Sequence, residues 1–372
     1  MKKKLVFFAD IMIMGGAEMV LKNLLDVLKI REDLEIVVVG KVRHSYFRNW
    51  FRDNRERIKL IDNTACPRRK KRWFLREIFF LLRLHAARGK ARRALKGAFA
   101  AIDFKNGYSQ EIIYGFRGRK IMWFHGGTNS FFNDRAHDVS EILKYDKIVL
   151  LTESMKNDFA TVFPQHARKA AQIYNIIPIA DIVKKVDVGM GGKYFVSVSR
   201  LNNDKDPATI ILGFDKFWRD GGKPDVKLYI IGDGPMRKIM QNLANELESK
   251  KQIIFTGTIP EPYGYMKGAM AHILSSPQEG LPTAIIEAAA CGTLNISSDC
   301  KSGPREILMD GKAGLLFPVG EYAKLAQIMS DVYHGKVDCA KMIANANAGL
   351  ARFSSDSIVP KVMETIGIDD AA

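Results

Sequence analysis

Short apolar runs alternate with helical stretches along this chain, and that rhythm narrows its architecture more than any other feature. Leu5 to Ala9 is followed by a helical stretch from Ala17 to Lys29 and a second apolar run from Leu34 to Val39. The pattern returns after Gly191, with strands at Tyr194 to Ser199, Val226 to Ile231 and Gln252 to Phe255 separated by helices at Pro207 to Trp218 and Pro235 to Leu247. Alternation of this kind predicts an α/β protein with parallel sheets covered by helices on both faces. A chain of 372 residues exceeds the size at which one core keeps growing, so two domains are expected. The glycine-rich stretch Asp187 to Gly192 has little to bury and marks the hinge. The expected division is residues 1–186, residues 187–350, and a C-terminal helix over 351–372 that returns to the N-terminal domain.

Lys2-Lys3-Lys4 before an apolar run resembles the start of a secretory signal, but Asp10 cuts the run short, which favours a first buried strand. No apolar run approaches the roughly 18 residues of a membrane span. The four cysteines, Cys66, Cys291, Cys300 and Cys339, are scattered and form no CxxC pair, a distribution that fits a reducing compartment and indicates neither disulfides nor zinc. Net charge is +16, yet it is concentrated: Arg68 to Lys96 holds twelve Lys and Arg against the single acid Glu77, leaving +5 for the rest of the chain. Phe74, Leu75, Ile78, Leu81 and Leu82 follow helical spacing in this segment, flanked by Arg72, Arg76 and Arg83, and Trp73, Phe79 and Phe80 add aromatic surface. The segment reads as a basic amphipathic helix for an anionic membrane surface, or as a core helix with a solvated basic face.

The run Ser275 to Ala288 carries the densest chemistry. It follows a strand at Ala271 to Leu274, and Pro282 suits the first turn of a helix running to Cys291. The unpaired backbone N–H groups and dipole of that helix start favour a phosphate against Gly280, Leu281, Pro282 and Thr283. Glu279 just before the helix and Glu287 inside it are placed to accept hydroxyls on either side of a diphosphate. Arg200 and Lys205 follow the strand Tyr194 to Ser199, beyond whose carboxyl end a ligand would sit. Gly232, Gly234 and Pro235 form a strand-to-helix turn, and Gly15 and Gly16 a glycine loop after the first strand.

On these residues the chain resembles the GT4 family of retaining glycosyltransferases, which have the GT-B fold of two Rossmann-like domains with parallel sheets facing across a cleft. Glu279 and Glu287 match the family's E-x7-E within EGLPTAIIEAAACG; Arg200 to Lys205 matches R-L-x3-K; Ile231 to Pro235 matches GxGP; Lys301 to Glu306 and Gly311 to Leu316 match the later loop and strand. In the N-terminal half, Gly15-Gly16-Ala17-Glu18 matches the GGAE loop, and the strand through Trp123 delivers His125, placed in the family near the reacting sugar. The resemblance is tight from Tyr194 to Pro318 and looser before it. It implies a nucleotide-binding C-terminal domain and an acceptor-binding N-terminal domain. Glu279 would hold donor-sugar hydroxyls, Glu287 the nucleotide ribose, and Arg200 and Lys205 the diphosphate, with UDP as the default nucleotide. Asp204-Lys205-Asp206 imitates the DxD metal motif of the other glycosyltransferase fold but lies inside the phosphate clamp, so neither a metal nor a cofactor is expected.

The implied reaction is transfer of a sugar with retention, by same-face attack of the acceptor hydroxyl and with the departing phosphate taking the proton. Expected partners are a nucleotide sugar, a glycan or lipid-linked acceptor of bacterial surface polysaccharide, lipopolysaccharide or glycan assembly, and an anionic membrane through residues 68–96, on the inner face of the cell membrane; nucleic acid is not expected. Competing readings are a catalytically silent GT-B scaffold on membranes, a GT-B epimerase, and a basic nucleic-acid-binding protein.

Overall fold

The structure is a computed structural model that describes residues 2–13, 15–62, 74–105, 110–127, 139–186 and 191–368. Cys66, Arg68 to Trp73 and hinge residues Asp187 to Met190 lie outside the described residues. The chain divides into two compact units, one of Met1–His125, Ser130–Ile176 and Ser355–Ala372, the other of Gly126–Asn129 and Ile177–Ser354. The helix Ile179–Lys185, which the sequence reading places in the N-terminal domain, belongs to the second unit, because its buried Ile182 packs against the helix Thr283–Ala290. The helix Ser355–Ile366 belongs to the first, with Gly367 at its end lying against the Arg119 guanidinium.

In the first unit seven strands run parallel: β1 (Lys3–Met12), β2 (Leu34–Val42), β3 (Ile58–Asp62), β4 (Ala100–Asp103), β5 (Arg119–Trp123), β6 (Lys147–Leu150) and β7 (Ala170–Gln172), in the order β3-β2-β1-β4-β5-β6-β7. Leu5, Val6, Phe7, Phe8 and Ala9 are all buried, as a central parallel strand covered on both faces requires. The basic segment is helical from Phe74 to Leu95. In its C-terminal half Ala87, Ala91 and Ala94 are buried at helical spacing while Lys90, Arg92 and Arg93 are exposed.

The second unit repeats the plan with six parallel strands, β8 (Tyr194–Val198), β9 (Lys227–Ile231), β10 (Ile253–Gly257), β11 (Ala271–Leu274), β12 (Asn295–Ser298) and β13 (Leu315–Phe317), in the order β10-β9-β8-β11-β12-β13. The helix Pro207–Asp220 shows how local sequence sets an element. Asp206 caps its start through the Thr209 N–H, proline takes the first helical position, and the chain turns away after Gly221 and Gly222 (φ +75°). Its apolar stripe Ile210, Ile211, Phe214, Phe217 and Trp218 fills the core against Phe195, Leu228 and Ile273. Gly213 lets the helix Tyr322–Tyr333 approach closely, since a Cβ there would stand 3.0 Å from Leu325 Cδ2.

In both sheets the strand order reverses beside the first strand, between β1 and β4 and between β8 and β11. Loops diverge at such a point and leave a crevice at the carboxyl ends of the strands. The sequence-selected residues follow those strands.

Candidate active site

In the second unit, Arg200 leaves the end of β8 and Ser275 to Gly280 the end of β11, the two strands that flank the switch point. Lys205 Nζ lies 2.5 Å from Glu279 Oε1, and the Ser276 hydroxyl donates to the same oxygen at 2.6 Å. Glu279 is only 8% exposed, so its charge is held by these two donors and little by water. Its backbone carbonyl accepts the Ser302 hydroxyl at 2.5 Å. The Ser275 hydroxyl in turn donates to the carbonyls of Lys205 and Asp206, at 2.9 and 2.7 Å, tying the cationic loop to the β11 loop. Lys205 is therefore paired with Glu279 rather than with Asp204 or Asp206. Asp206 accepts from the N–H and hydroxyl of Thr209 and so caps the helix Pro207–Asp220. Arg200 is exposed and forms no ion pair among the described residues.

The helix after this loop runs from Thr283 to Ala290, so Pro282 is its N-cap residue, one position earlier than the sequence suggests, and no side chain caps the start. Gly280, Leu281 and Pro282 are buried and Thr283 is partly open. Glu287 stands one turn in, hydrogen-bonded to the Thr283 side chain, and burial raises its carboxyl pKa above the usual carboxylate value. Gly303 (φ +83°) presses on this turn, where a Cβ would meet the Gly280 carbonyl at 2.6 Å. The stretch Lys301 to Glu306 thus braces the Glu279–Gly280 loop.

The GxGP turn braces the other side. Leu201 N–H donates to Asp233 and Met236 N–H to Leu201, at 3.1 and 2.9 Å. A Cβ on Gly234 would stand 2.7 Å from the Leu201 carbonyl carbon, and one on Gly232 (φ +139°) would overlap the Ser199 carbonyl. These glycines let the Arg200 loop lie directly on the turn. Pro235 borders an open groove of about 850 Å³ that continues along the helix Arg237–Glu246 to Phe255.

The first unit gathers a smaller cluster at its own switch point. Lys105, just after β4, bonds Glu18 Oε1 at 2.5 Å and the Ile11 carbonyl at 2.8 Å. Glu18 is 3% exposed and also accepts the Ile13 N–H, so GGAE closes on itself, with the carboxylate folded over Gly15. Gly15 is the N-cap of the helix Gly16–Leu28, and a Cβ on Gly16 would meet nothing within 4 Å. His125 packs against Phe104 with ring centroids 4.4 Å apart, and its Nε2 is buried without a partner among the described residues. Burial, reinforced by the Lys105 charge, lowers its pKa to about 3 against the pull of a hydrogen bond to the Phe104 backbone, so the imidazole is neutral at physiological pH.

The sequence reading missed Ser276, Ser302 and Lys105. Ser276 lies inside the motif it quoted, whereas Lys105 is a single cation in a loop without any motif and carries no recognisable signal.

Two Rossmann-like units, each with a parallel sheet and a site loop at its switch point, are the GT-B fold. Residues 179–348 match the family described as glycosyl transferases group 1, and this half of the chain is a domain of that family. An N-acetylgalactosamine-N,N'-diacetylbacillosaminyl-diphospho-undecaprenol 4-alpha-N-acetylgalactosaminyltransferase of Campylobacter jejuni is 30% identical over 204 residues, 54% of this chain and 53% of that protein. A lipopolysaccharide 1,6-galactosyltransferase of Salmonella typhimurium is 29% identical over 175 residues, 46% of this chain and 48% of that protein. The chain thus spans about half the length of the curated relatives it matches. Across almost the whole chain the fold is similar to Anabaena Alr3699/HepE, solved with UDP and glucose, at a TM-score of 0.75 and 18% identity, covering 98% of this chain and 99% of that one. No described helix is long and apolar enough to cross a membrane.

Proposed function

We propose that the chain is a retaining glycosyltransferase that moves a sugar from a nucleotide-diphosphate sugar, by default a UDP-sugar, to a glycan or lipid-linked acceptor of bacterial surface polysaccharide, lipopolysaccharide or glycan assembly. The observation that carries this reading is the Lys205–Glu279 pair at the β8/β11 switch point. It sets a carboxylate that accepts sugar hydroxyls beside an ammonium that meets phosphate. A purely structural ion pair would not need the uncapped helix start Thr283–Ala290 and the exposed Arg200 converging on the same strand ends. The relatives support the substrate class, since one is named for a diphospho-undecaprenol acceptor and a structural neighbour was solved with UDP and glucose.

In this reading Arg200, Lys205 and the N–H groups around Gly280 to Thr283 take up the charge of the departing diphosphate as it forms. Glu279 orients the sugar, and Glu287, hydrogen-bonded to Thr283, accepts the ribose hydroxyls. Gly15 and Gly16 keep side chains out of the first unit's glycine loop, and Gly232, Gly234 and Pro235 shape the nucleotide side of the second unit. Neutral His125 keeps an unpartnered Nε2 for a substrate hydroxyl at the first unit's own switch point. The acceptor hydroxyl attacks the same face, and its proton passes to the leaving phosphate. The cations do the work of a metal, and residues 68–96 hold the enzyme to an anionic membrane.

Glu279→Gln and Lys205→Ala should each reduce turnover at least about a hundredfold while leaving the circular dichroism spectrum unchanged. Activity should survive exhaustive EDTA treatment. Near wild-type turnover in either folded variant, or a strict requirement for added Mg²⁺ or Mn²⁺, would overturn the assignment.

A further inference from the structure

We propose that Lys105 is a positioning residue for sugar transfer, holding the glycine loop Gly15 to Glu18 in the shape that borders the first unit's crevice. β1 and β4 pair as far as Phe8 and Asp103 and then part, which is where that crevice opens. Lys105, just past the end of β4, spans the gap. Its ammonium donates to the Ile11 carbonyl in β1 at 2.8 Å and to Glu18 Oε1 at 2.5 Å. The same oxygen accepts the Ile13 N–H at 3.3 Å, so one carboxylate gathers the end of β1 and the loop after β4.

A helix start alone does not call for this pairing. A glutamate in the first turn is already favoured by the helix dipole and can stay in water. The Glu18 side chain is instead only 4% exposed and lies back over Gly15, where a Cβ would stand 2.7 Å from its Oε2. Glycine at position 15 is what admits the carboxylate. Among the described residues Lys105 is the one cation bonded to Glu18. A buried ion pair adds little stability over neutral groups of the same size, so what this pair contributes is the geometry it imposes. Lys105 also follows Phe104, whose ring packs on His125 and whose backbone hydrogen-bonds that imidazole. One cation thus fixes the glycine loop on one side and adjoins the support of His125 on the other.

The inference rests on the transferase reading, and one assay separates the two. UDP release from UDP-glucose, UDP-galactose and UDP-N-acetylgalactosamine, with a bacterial lipid extract as acceptor, gives kcat and KM for the full chain alongside Tm. Lys105→Met leaves Glu18 buried and unpaired, so Tm should fall by several degrees and kcat by at least about tenfold. Lys105→Met combined with Glu18→Gln removes both charges. Tm should then return close to wild type, while kcat stays at least about tenfold down and KM for the UDP-sugar stays within about twofold, because the donor clamp belongs to the second unit. Lys22→Met, which breaks the Lys22–Asp26 pair on the same helix, should leave kcat unchanged. Recovery of kcat together with Tm in the double variant would make the pair structural only and overturn the proposal. Wild-type kcat in Lys105→Met, or a rise in KM with kcat unchanged, would overturn it too. Each of these outcomes, with an active wild type, leaves the transferase reading standing; no UDP release by the wild type from any of the three donors would overturn both.

Discussion

Gly232→Ala tests whether the GxGP turn is a brace for the phosphate clamp. A Cβ at this position overlaps the Ser199 carbonyl oxygen and falls 2.9 Å from its carbon, so the Ser199–Leu201 backbone must retreat by about 1 Å. That backbone is fixed by Ser199 N–H to the Ile231 carbonyl and Leu201 N–H to the Asp233 carbonyl, both 3.1 Å. Overpacking costs about 1–3 kcal/mol, the two weakened hydrogen bonds about 1 kcal/mol each and the positive φ of +139° about 1 kcal/mol more, for a total near 4–6 kcal/mol. For a unit of this size that is a fall in Tm of roughly 8–24 °C. Gly292→Ala is the control, because Gly292 also has positive φ (+73°) but nothing within 4 Å, so only the backbone cost of about 1 kcal/mol and a fall of about 2–4 °C apply. Thermal unfolding by circular dichroism measures both. Equal falls in the two variants would show that the close approach to Ser199 carries no weight, and the bracing argument would fail.

Gly16→Ala should leave stability unchanged or raise it by about 0.5–1 kcal/mol, since the site is helical with open space around it, while turnover falls because the methyl enters the space the glycine loop leaves for substrate. Unaltered turnover in this variant would remove Gly16 from the site. Stability should also fall below pH 6.5, because His125 and His272, depressed by burial to about 3 and about 4, bind protons there only in the unfolded chain. Each adds a loss of about 1.4 kcal/mol per pH unit until its folded pKa is reached, so His272→Gln should flatten the fall between pH 7 and pH 5 seen in urea titrations. An unchanged slope would mean that His272 does not titrate as its burial requires.

Most of the fold could be read from the sequence because parallel strands buried on both faces leave continuous apolar runs, and Leu5 to Ala9 is such a run. Helix starts were legible where capping chemistry is local, as at Asp206-Pro207. The site was legible where it lies on one continuous motif, hence Glu279 and Glu287. It was not legible where distant loops supply partners: Lys105 meets Glu18 across 87 positions, and Lys205 meets Glu279 across 74. The sequence placed each residue at a strand end but did not show which carboxylate would pair with which cation. The reach of the helix Ile179–Lys185 was likewise hidden, because its single buried contact, Ile182, gives no periodic signal.

The central claim is that the β8/β11 switch point holds a nucleotide-diphosphate sugar between Arg200, Lys205 and Glu279, and a thermal-shift titration over UDP-, GDP- and ADP-sugars measures it most directly. A donor at 100 times its Kd stabilises the folded state by about 2.7 kcal/mol, which for this second unit is a rise of roughly 5–11 °C. At least one nucleotide sugar should give that rise with wild-type protein, and Lys205→Ala should abolish most of it. No shift with any nucleotide sugar, or an equal shift in Lys205→Ala, would contradict the account.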